Sequence, residues 1–247
     1  MDVVTVLAQK DFKIRYRNSA LGFLWSLLNP LAYMVILALV FSVLLRNNIP
    51  NFEPWLLLGI LVWRFFAIGT SQSLGSIVGN PSLVSKVYFP RYLIVLSSNI
   101  GSLLASGLEF IALLPLIIVL GVNLAPMILL FPIVLGLEFA LVFGLSLSLS
   151  ALNLKYRDFY QIWDIALQLG FFVSPIVYDS SLIPSRYRFL YSLNPVTRLI
   201  EFMRDIFLRS SLPSLQESLI LLSGISLLLV VGFVIFRHFE SRFVEAL

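Results

Sequence analysis

L-N-L-K-Y-R-D-F-Y at residues 152–160 begins a stretch that shows how the whole chain is organised. Its charges stand directly before an apolar segment of nearly membrane-spanning length, which ends in S-P-I-V-Y at residues 174–178. A polar, aromatic loop then runs through N-P at residues 194–195 to Arg204. Outward from this stretch, the chain consists of further apolar spans and the short polar turns between them.

Composition places the chain in a membrane. Apolar residues make up 59% of it and charged residues 12%, with a mean hydropathy of +0.96. Ordinary soluble domains carry about 25% charged residues. The apolar runs are continuous, whereas a β-barrel would show alternating segments of about ten residues. We therefore predict an all-α integral membrane protein in which residues 1–247 form a single transmembrane domain.

Several classes of function lack the residues that they need. The chain has no cysteine, and its one histidine, His238, is expected to be solvated or interfacial. It shows no G-x-x-x-x-G-K-[ST] phosphate loop, no metal-binding constellation and no Ser–His pair for nucleophilic attack. The net charge of +4 is attributed to membrane orientation and anionic headgroups, not to nucleic acid. The sequence thus predicts no enzyme, metal or cofactor in this chain.

Hydropathy predicts six transmembrane helices, at about residues 27–45, 54–76, 92–119, 126–149, 159–177 and 219–236. The fifth is broken by Pro175. Small residues recur on one face of the fourth, at Ala140, Gly144 and Ser148, as close helix packing in a membrane prefers. A charged turn is expected at residues 152–158.

Residues 1–18 are predicted to form an amphipathic helix in the cytoplasmic membrane interface. Val3, Leu7 and Ile14 share one stripe, beside which several basic residues lie. These charges follow the first apolar residues instead of preceding them, which argues against a signal peptide. A plain polar lead-in to the first span is the alternative.

Six spans place both termini on one side of the membrane. Ten of the 17 Lys and Arg residues fall on that side and six on the other, with Arg64 inside a span. We assign the richer side to the cytoplasm of a multi-pass protein of the cytoplasmic (inner) membrane. Residues 79–91, between Pro81 and Pro90, then form a cytoplasmic amphipathic segment, either a connector or a docking surface. Residues 178–215 form a long outer loop whose middle is expected to contain short re-entrant or surface helices.

Arg64, Glu109 and Glu138 are charged residues within predicted spans, which makes them functional candidates. For Arg64, a position facing protein or water and a position at a helix end remain equally open. For the two carboxylates we favour a hydrogen bond to a neighbouring helix or a protonated state, because no Lys or His within the spans completes a proton relay. We accordingly expect Glu109→Gln to leave transport nearly unchanged.

Several short motifs follow one another along the chain. They are Lys13-x-Arg15-Tyr16, Gly59-x3-Trp63-x-Phe65-Phe66, Lys86-x2-Phe89-Pro90, Tyr156-Arg157-Asp158, Ser174-Pro175-Ile176-x-Tyr178, Asn194-Pro195 and Arg204. In this order, on six predicted spans, the chain resembles the ABC-2 type permeases that export polysaccharides such as O-antigen and teichoic acid. Arg64 departs from the polar neutral residue usual there, so a family-wide role for it is not implied.

The resemblance implies a homodimer of permeases joined to two separate ATP-binding cassette subunits, which hold ATP and Mg and carry out hydrolysis. The substrate would be a lipid-linked glycan, and membrane lipids the other partner. The implied contacts with the ATPase subunits are Lys13, Arg15, Lys86, Phe89, Pro90, Tyr156, Arg157 and Asp158. Residues 79–91 become the coupling segment and residues 178–215 an extracytoplasmic gate loop. The implied gate and substrate path comprises Trp25, Tyr33, Trp63, Phe66, Pro175, Tyr178, Asn194, Pro195 and Arg204.

Two other functions stay open. One is an ABC-2 permease for a small hydrophobic compound or drug. The other is an ion-coupled secondary transporter that uses Arg64, Glu109 and Glu138.

Overall fold

The computed structural model describes residues 3–16, 22–44, 49–86, 89–122, 126–241 and 243. Within these ranges the chain is helical. The α-helices are α1 (Val3–Tyr16), α2 (Leu24–Ala38), α3 (Phe52–Leu74), α4 (Pro81–Lys86), α5 (Tyr92–Val119), α6 (Phe131–Lys155), α7 (Phe159–Val173), α8 (Ser185–Ser192), α9 (Pro195–Arg204) and α10 (Leu215–Glu240). Tighter or wider turns extend some of them, a 3₁₀ turn at Pro126–Leu130 before α6 and π turns at Leu39–Leu44 and Asp205–Arg209 after α2 and α9.

Among the described residues, five helical segments are long and apolar enough to cross a membrane. They are Leu24–Ser42, Phe52–Leu74, Tyr92–Val119, Ile128–Lys155 and Leu215–Glu240. They coincide with five of the six predicted spans, which confirms an all-helical, membrane-type fold. The predicted charged turn at residues 152–158 is too long, because α6 continues to Lys155 and buries Asn153 and Leu154.

The remaining predicted span, residues 159–177, is helical only as far as Val173. These 15 residues reach about 22 Å, whereas a hydrocarbon core is about 30 Å thick. The helix ends because Ser174 is extended, as expected of a residue before a proline. The count of six spans and the re-entrant character of the outer loop therefore stay predictions.

α3 is the central helix of the bundle. In its most apolar window, 78% of the residues are buried inside the protein, compared with 17–33% in the other four membrane-length helices. It packs against α2, α5, α6, α7 and α9. Through this position, α3 connects every region discussed below.

α6 and α10 cross at two glycines. A Cβ atom on Gly232 would collide with the carbonyl oxygen of Gly144, and one on Gly144 would lie 2.9 Å from the backbone nitrogen of Leu229. The small residue predicted at position 144 thus serves a close backbone contact.

The bundle has two distinct ends. At one end, which we call the coupling end, the termini of α3, α6 and α10 meet α4 in an apolar cluster that includes Ile77, Val84, Leu154 and Phe236. α1 packs along α5 near this end and buries Leu7 and Ala8, while Lys10 Nζ donates a hydrogen bond to Asn80 Oδ1 at 3.1 Å. At the other end, residues 178–215, the gate loop, pack on the start of α3. The 23 residues of α3 separate the two ends by about 34 Å.

Candidate functional site

A cavity of about 760 Å³ lies between α2, α3 and α7, and we call it the membrane groove. Aromatic and aliphatic side chains form most of its wall, with polar groups set among them. Its lining residues are Asn29, Tyr33, Leu37, Ile60, Trp63, Arg64, Ala67, Ile68, Ser71, Gln72, Asp164, Leu167, Gln168, Phe171 and Phe172. Such a mixture suits a ligand with apolar faces and hydrogen-bonding edges.

Aromatic rings in tilted and edge-to-face contact form one wall of the groove. The ring of Trp63 lies edge-on to Phe171, with centroids 6.1 Å apart, and against Phe66 at 5.4 Å. Phe66 in turn contacts Trp163, whose indole N–H donates to Thr70 Oγ1 at 3.1 Å. Gly170 allows this packing, since a Cβ there would approach Trp63 to 2.8 Å.

Only some of the residues predicted for the substrate path line the groove. Tyr33 and Trp63 line the groove, whereas Phe66 is buried behind it. Trp25 is exposed on α2 and is not one of the groove's described lining residues.

Arg64 joins three helices at the groove. Its Nε donates to Glu109 Oε1 on α5 at 2.8 Å, and its Nη1 donates to Asn29 Oδ1 on α2 at 2.6 Å. The Arg64 side chain is 18% exposed and that of Glu109 is 6% exposed. Arg64 therefore lies mid-helix and faces protein and groove, which decides between the two alternatives left open above. Glu109 bonds a neighbouring helix, as favoured.

Glu138 stands apart from this network. It is buried in α6, and its Oε1 has no hydrogen-bond partner among the described residues. It is not one of the lining residues of the groove.

Arg204 occupies the interior where the gate loop meets α3, a site that we call the Arg204 junction. It is 0% exposed. Nε donates to the carbonyl of Trp55 at 3.3 Å, Nη1 to that of Pro175 at 2.7 Å and Nη2 to that of Ile176 at 3.2 Å. The guanidinium also lies 3.3 Å from the centroid of the Trp55 ring, which is cation–π geometry.

Gly59 and Glu201 complete the junction. A Cβ on Gly59 would lie 2.8 Å from Arg204 Nη2, so any other residue would displace the guanidinium from its present position. Glu201 Oε1 accepts from Arg204 Nη1 at 3.3 Å, one helical turn away on α9. The Arg204 junction thus fixes α3, the chain after α7 and α9 to one another through a single side chain.

The S-P-I-V-Y motif at residues 174–178 interrupts the helix after α7, and Arg204 bonds to the backbone of this interruption. After α7 ends, Ser174, Pro175, Ile176 and Val177 are buried, and two of their carbonyls point to Arg204. Tyr178 folds back, and its hydroxyl donates to the carbonyls of Phe172 and Val173 at 3.0 and 2.9 Å. These bonds satisfy carbonyls at the end of α7 that have no partner within the helix.

Asn194 and Pro195 start α9. The Asn194 side chain accepts a hydrogen bond from the Val196 N–H at 3.0 Å, and Pro195 occupies the first helical turn. Asn194 Nδ2 also reaches Ser174 Oγ at 3.4 Å. The structure therefore brings five predicted gate residues, Pro175, Tyr178, Asn194, Pro195 and Arg204, to one end of the bundle, with Arg204 in its interior and not in the groove.

Sequence reasoning missed two members of the Arg204 junction, Trp55 and Glu201. Trp55 is one of many aromatic residues in the spans, and nothing in its neighbourhood marks it as a partner of a residue 149 positions away. Glu201 stands three residues before Arg204, a helical ion-pair spacing that could have indicated it.

The predicted ATPase contacts are at the coupling end. Lys13, Pro90, Tyr156, Arg157 and Asp158 are exposed there, and Phe89 is half-buried. The side chains of Arg15 and Lys86 lie outside the described part of the structure. Asp158 occupies the N-cap position of α7, although its side chain makes no capping hydrogen bond.

A family model described as ABC-2 type transporter matches residues 2–208. The chain belongs to the ABC-2 type transporter family. The resemblance read from the ordered motifs is thereby confirmed. Since its described residues include five membrane-length helices, this ABC-2 chain is a multi-pass membrane protein.

Relatives of this ABC-2 chain match along most or all of its length. The O-antigen export system permease protein RfbA of Klebsiella pneumoniae is 33% identical over 251 residues, covering 100% of this chain and 95% of the relative. A protein of the same description from Myxococcus xanthus is 33% identical over 98% of this chain and 94% of its own length. The polysialic acid transport protein KpsM of Escherichia coli is 24% identical, covering 82% of this chain and 80% of the relative.

The described residues of this ABC-2 chain form no metal-binding cluster. No three His, Cys, Asp or Glu side chains among those residues are grouped to hold an ion. The prediction that the chain itself carries no cofactor remains a prediction.

Proposed function

We propose that this chain is the membrane permease of an ATP-driven exporter that moves a lipid-linked polysaccharide, O-antigen-like or teichoic-acid-like, across the cytoplasmic membrane. The observation that carries the proposal is the end-to-end similarity to two O-antigen export permeases at 33% identity. The weaker similarity to a polysialic acid transport protein extends the same substrate class. Chemically, all three names describe long carbohydrate chains.

ATP hydrolysis takes place in separate ATP-binding cassette subunits that hold ATP and Mg. They contact the coupling end, where the exposed Tyr156-Arg157-Asp158 turn and the exposed Lys13 and Pro90 offer a polar surface. A partner shifts a conformational equilibrium only through contacts that differ between the two states. In this arrangement both termini are cytoplasmic.

The membrane groove forms half of the path for the glycan, and a second copy of the chain supplies the other half. Aromatic faces such as those of Tyr33, Trp63 and Phe171 pack against the apolar faces of sugar rings and against lipid. The amides of Asn29 and Gln72 bond sugar hydroxyls at the edges. Exposed apolar residues on α2 and α7, among them Val35, Ile36, Ile162, Ile165 and Leu169, supply the contact between the two copies.

The gate loop closes the extracytoplasmic end of this path. Besides the apolar packing of α9 on α3 and α6, the Arg204 junction attaches the loop to the bundle, because this junction joins α9 to the break after α7 and to the start of α3. Movement of α7 at the groove would be transmitted through the Pro175 and Ile176 carbonyls to α9.

A small hydrophobic compound is the second candidate substrate, favoured by one observation. Most of the residues that line the groove are apolar or aromatic. Ion-coupled transport is less well supported, because Arg64 and Glu109 are engaged in an ion pair and Glu138 is not one of the residues that line the groove.

Deletion of the gene in its native host, followed by analysis of membrane and surface glycans, tests the proposal. The expected result is accumulation of lipid-linked glycan inside the cell and its loss from the surface, both reversed by the intact gene. A tagged chain should co-purify with an ATP-binding subunit in equal amount. Unchanged surface glycan together with altered tolerance to hydrophobic drugs would favour the second candidate, and purification of a homodimer without any ATPase subunit would contradict an ABC exporter.

A further inference from the structure

The gate loop contains a cavity of its own, of about 390 Å³, which we call the loop pocket. It lies among α8, α9, the 3₁₀ turn Ser180–Leu182, the π turn Asp205–Arg209 and the start of α10. The groove and the loop pocket share none of their described lining residues. Its size is at the lower end of the range of about 300–1,000 Å³ that is usual for small-molecule sites.

Ion pairs compensate the charges that line the loop pocket. Arg198 Nη1 lies 2.8 Å from Glu217 Oε1, and Arg209 Nη1 lies 3.1 Å from Glu201 Oε2 and 2.9 Å from Asp205 Oδ1. With Arg188, the lining contains three arginines and three carboxylates. Because the two signs are equal in number, a charged ligand would meet as many like charges as opposite ones, whereas an uncharged ligand with many hydroxyls could bond to both kinds of group without separating the ion pairs.

Two hydroxyl groups at the loop pocket lack partners. Thr197, 5% exposed, and Tyr191 both belong to the lining. Thr197 Oγ1 and Tyr191 OH are buried and have no hydrogen-bond partner among the described residues. Because a buried hydroxyl without a partner is costly, such groups normally meet a bound molecule or water.

Aromatic surface accompanies these polar groups. Tyr191 and Phe202 both line the loop pocket, and the ring of Tyr191 lies 6.4 Å from that of Tyr178. Rings beside arginine, carboxylate and hydroxyl groups offer a sugar both a face to pack on and partners for its hydroxyls.

We propose that the loop pocket binds a neutral sugar residue of the glycan as it emerges from the membrane groove, an inference that rests on the proposed function. Glu201 connects this site to the gate. Its Oε2 meets Arg209 in the pocket, and its Oε1 meets Arg204 in the junction at 3.3 Å. Sugar binding at the pocket thereby acts on the residue that fastens α9 to α3.

Direct binding to the intact permease–ATPase complex in lipid nanodiscs tests the inference. The probes are methyl α-D-mannopyranoside, methyl β-D-galactopyranoside and methyl α-D-glucopyranoside, observed by saturation-transfer NMR, with inorganic phosphate as competitor. At least one hexoside is expected to bind, and phosphate to leave its signal unchanged. Thr197→Val and Tyr191→Phe are each expected to weaken binding by roughly two- to tenfold, the equivalent of one lost hydrogen bond.

Ser73→Ala is the matched control. Ser73 also has a buried hydroxyl without a described partner, but it lies on α3 and belongs to the lining of neither cavity. This variant is expected to bind hexosides as the wild type does. Thr197→Val should unfold at the same temperature as the wild type or higher, since it removes an unsatisfied polar group, and this separates loss of binding from loss of fold.

Three results would overturn the inference: no hexoside bound, equal affinity in Thr197→Val, Tyr191→Phe and wild type, or displacement by phosphate. Equal affinity means that the hexoside binds somewhere other than at these two hydroxyls, and displacement means that the site prefers anions. Glycan export is measured in parallel in the same cells. Export without hexoside binding refutes the sugar site and leaves the permease function standing, whereas hexoside binding without export refutes the proposed function and with it the glycan as the ligand.

Discussion

Arg64 lies on α3 and Arg204 packs against it, and the two buried charges are stabilised in different ways. Arg64 is paired with side chains, Glu109 on α5 and Asn29 on α2, and part of it remains open to the membrane groove. Arg204 is entirely buried, and backbone carbonyls of Trp55, Pro175 and Ile176 surround it. The acceptors around Arg64 belong to side chains, which can rotate away. The three carbonyls around Arg204 belong to the backbone, and their positions are fixed by the fold.

The difference indicates what each arginine does. Side chains can rotate and exchange an arginine for a ligand or a water molecule, so the Arg64 network is suited to a surface over which cargo moves. The carbonyls at the break after α7 have no helical partner and depend on Arg204. We therefore expect Arg204 to determine whether the gate loop folds onto the bundle, and Arg64 to influence transport more than folding.

Arg204→Met should have the largest effect. It leaves the buried carbonyls of Pro175 and Ile176 without a donor and removes the cation–π contact with Trp55, a combined loss of about 3–5 kcal/mol in the free energy of unfolding. We expect little intact protein after detergent extraction, measured by size-exclusion chromatography after heating. Arg188→Met, at an exposed arginine of the same loop, is the control and should remain near wild type. If both variants were equally stable, Arg204 would not hold the gate loop.

Gly59→Ala sharpens the same contrast without changing any charge. The added methyl would displace the guanidinium of Arg204, because its ideal position lies 2.8 Å from Nη2. A loss of about 1–3 kcal/mol is expected, measured by the same thermal assay. Gly107→Ala on α5, where a Cβ meets no atom within 4 Å, should instead keep or slightly raise stability. Equal melting of the two variants would show that the junction tolerates displacement.

A double-mutant cycle at Arg64 and Glu109 should show a smaller effect. Arg64→Met leaves the Glu109 carboxylate without its ion pair, and we expect a loss of about 1–3 kcal/mol, moderated by the exposure of Arg64 to the groove. Adding Glu109→Leu should recover most of that stability, while glycan export stays reduced. Export at the wild-type level in the double variant would remove Arg64 from the path.

The same pair adds a stability prediction for Glu109→Gln, a substitution for which the sequence predicts nearly unchanged transport. With Arg64 at 2.8 Å, the substitution leaves an arginine without its counter-charge, and we expect a measurable loss of thermal stability. Identical melting of Glu109→Gln and wild type would show that the ion pair does not stabilise the fold, whereas loss of transport would contradict the prediction from the sequence.

Arg157→Ala combined with Asp158→Ala should have the smallest effect on stability. Both side chains are exposed at the coupling end, so the melting temperature should be unchanged. Export should nevertheless be uncoupled from ATP hydrolysis in reconstituted complexes, because the contacts that the ATPase needs are gone. Normal coupling in this variant would exclude the turn as the ATPase contact.

Much of the fold could be predicted from the sequence because membrane solvation is a local constraint. Each span must satisfy its own backbone hydrogen bonds and be apolar over the thickness of the bilayer. Continuous hydrophobic runs therefore predict the five membrane-length helices of the described residues directly. The end of α6 was misplaced because the polar Asn153 looked like part of a turn. In the fold its side chain donates to the carbonyl of Leu74, and the helix continues.

The site was predicted in part. Motif order indicated Trp63, Tyr178, Asn194 and Arg204, and the first of these lies in the groove while the others lie at the gate end. The role of Arg204 could not be predicted, since an arginine in a loop gives no sign of being fully buried. Trp55 and the two unpaired hydroxyls of the loop pocket likewise became apparent only when distant segments were placed side by side.

Hydropathy and ordered short motifs are properties of the chain alone, so they were enough to predict the membrane environment, five long helices and the ABC-2 family. The pairing of Arg64 with Glu109, the position of Arg204 at the break after α7 and the polar cavity in the gate loop depend on how distant segments pack. The partners are too far apart along the chain for a local pattern to relate them. Arg64 and Glu109 are 45 residues apart, and Arg204 and Trp55 are 149 apart. Packing creates such contacts, and no local pattern records them.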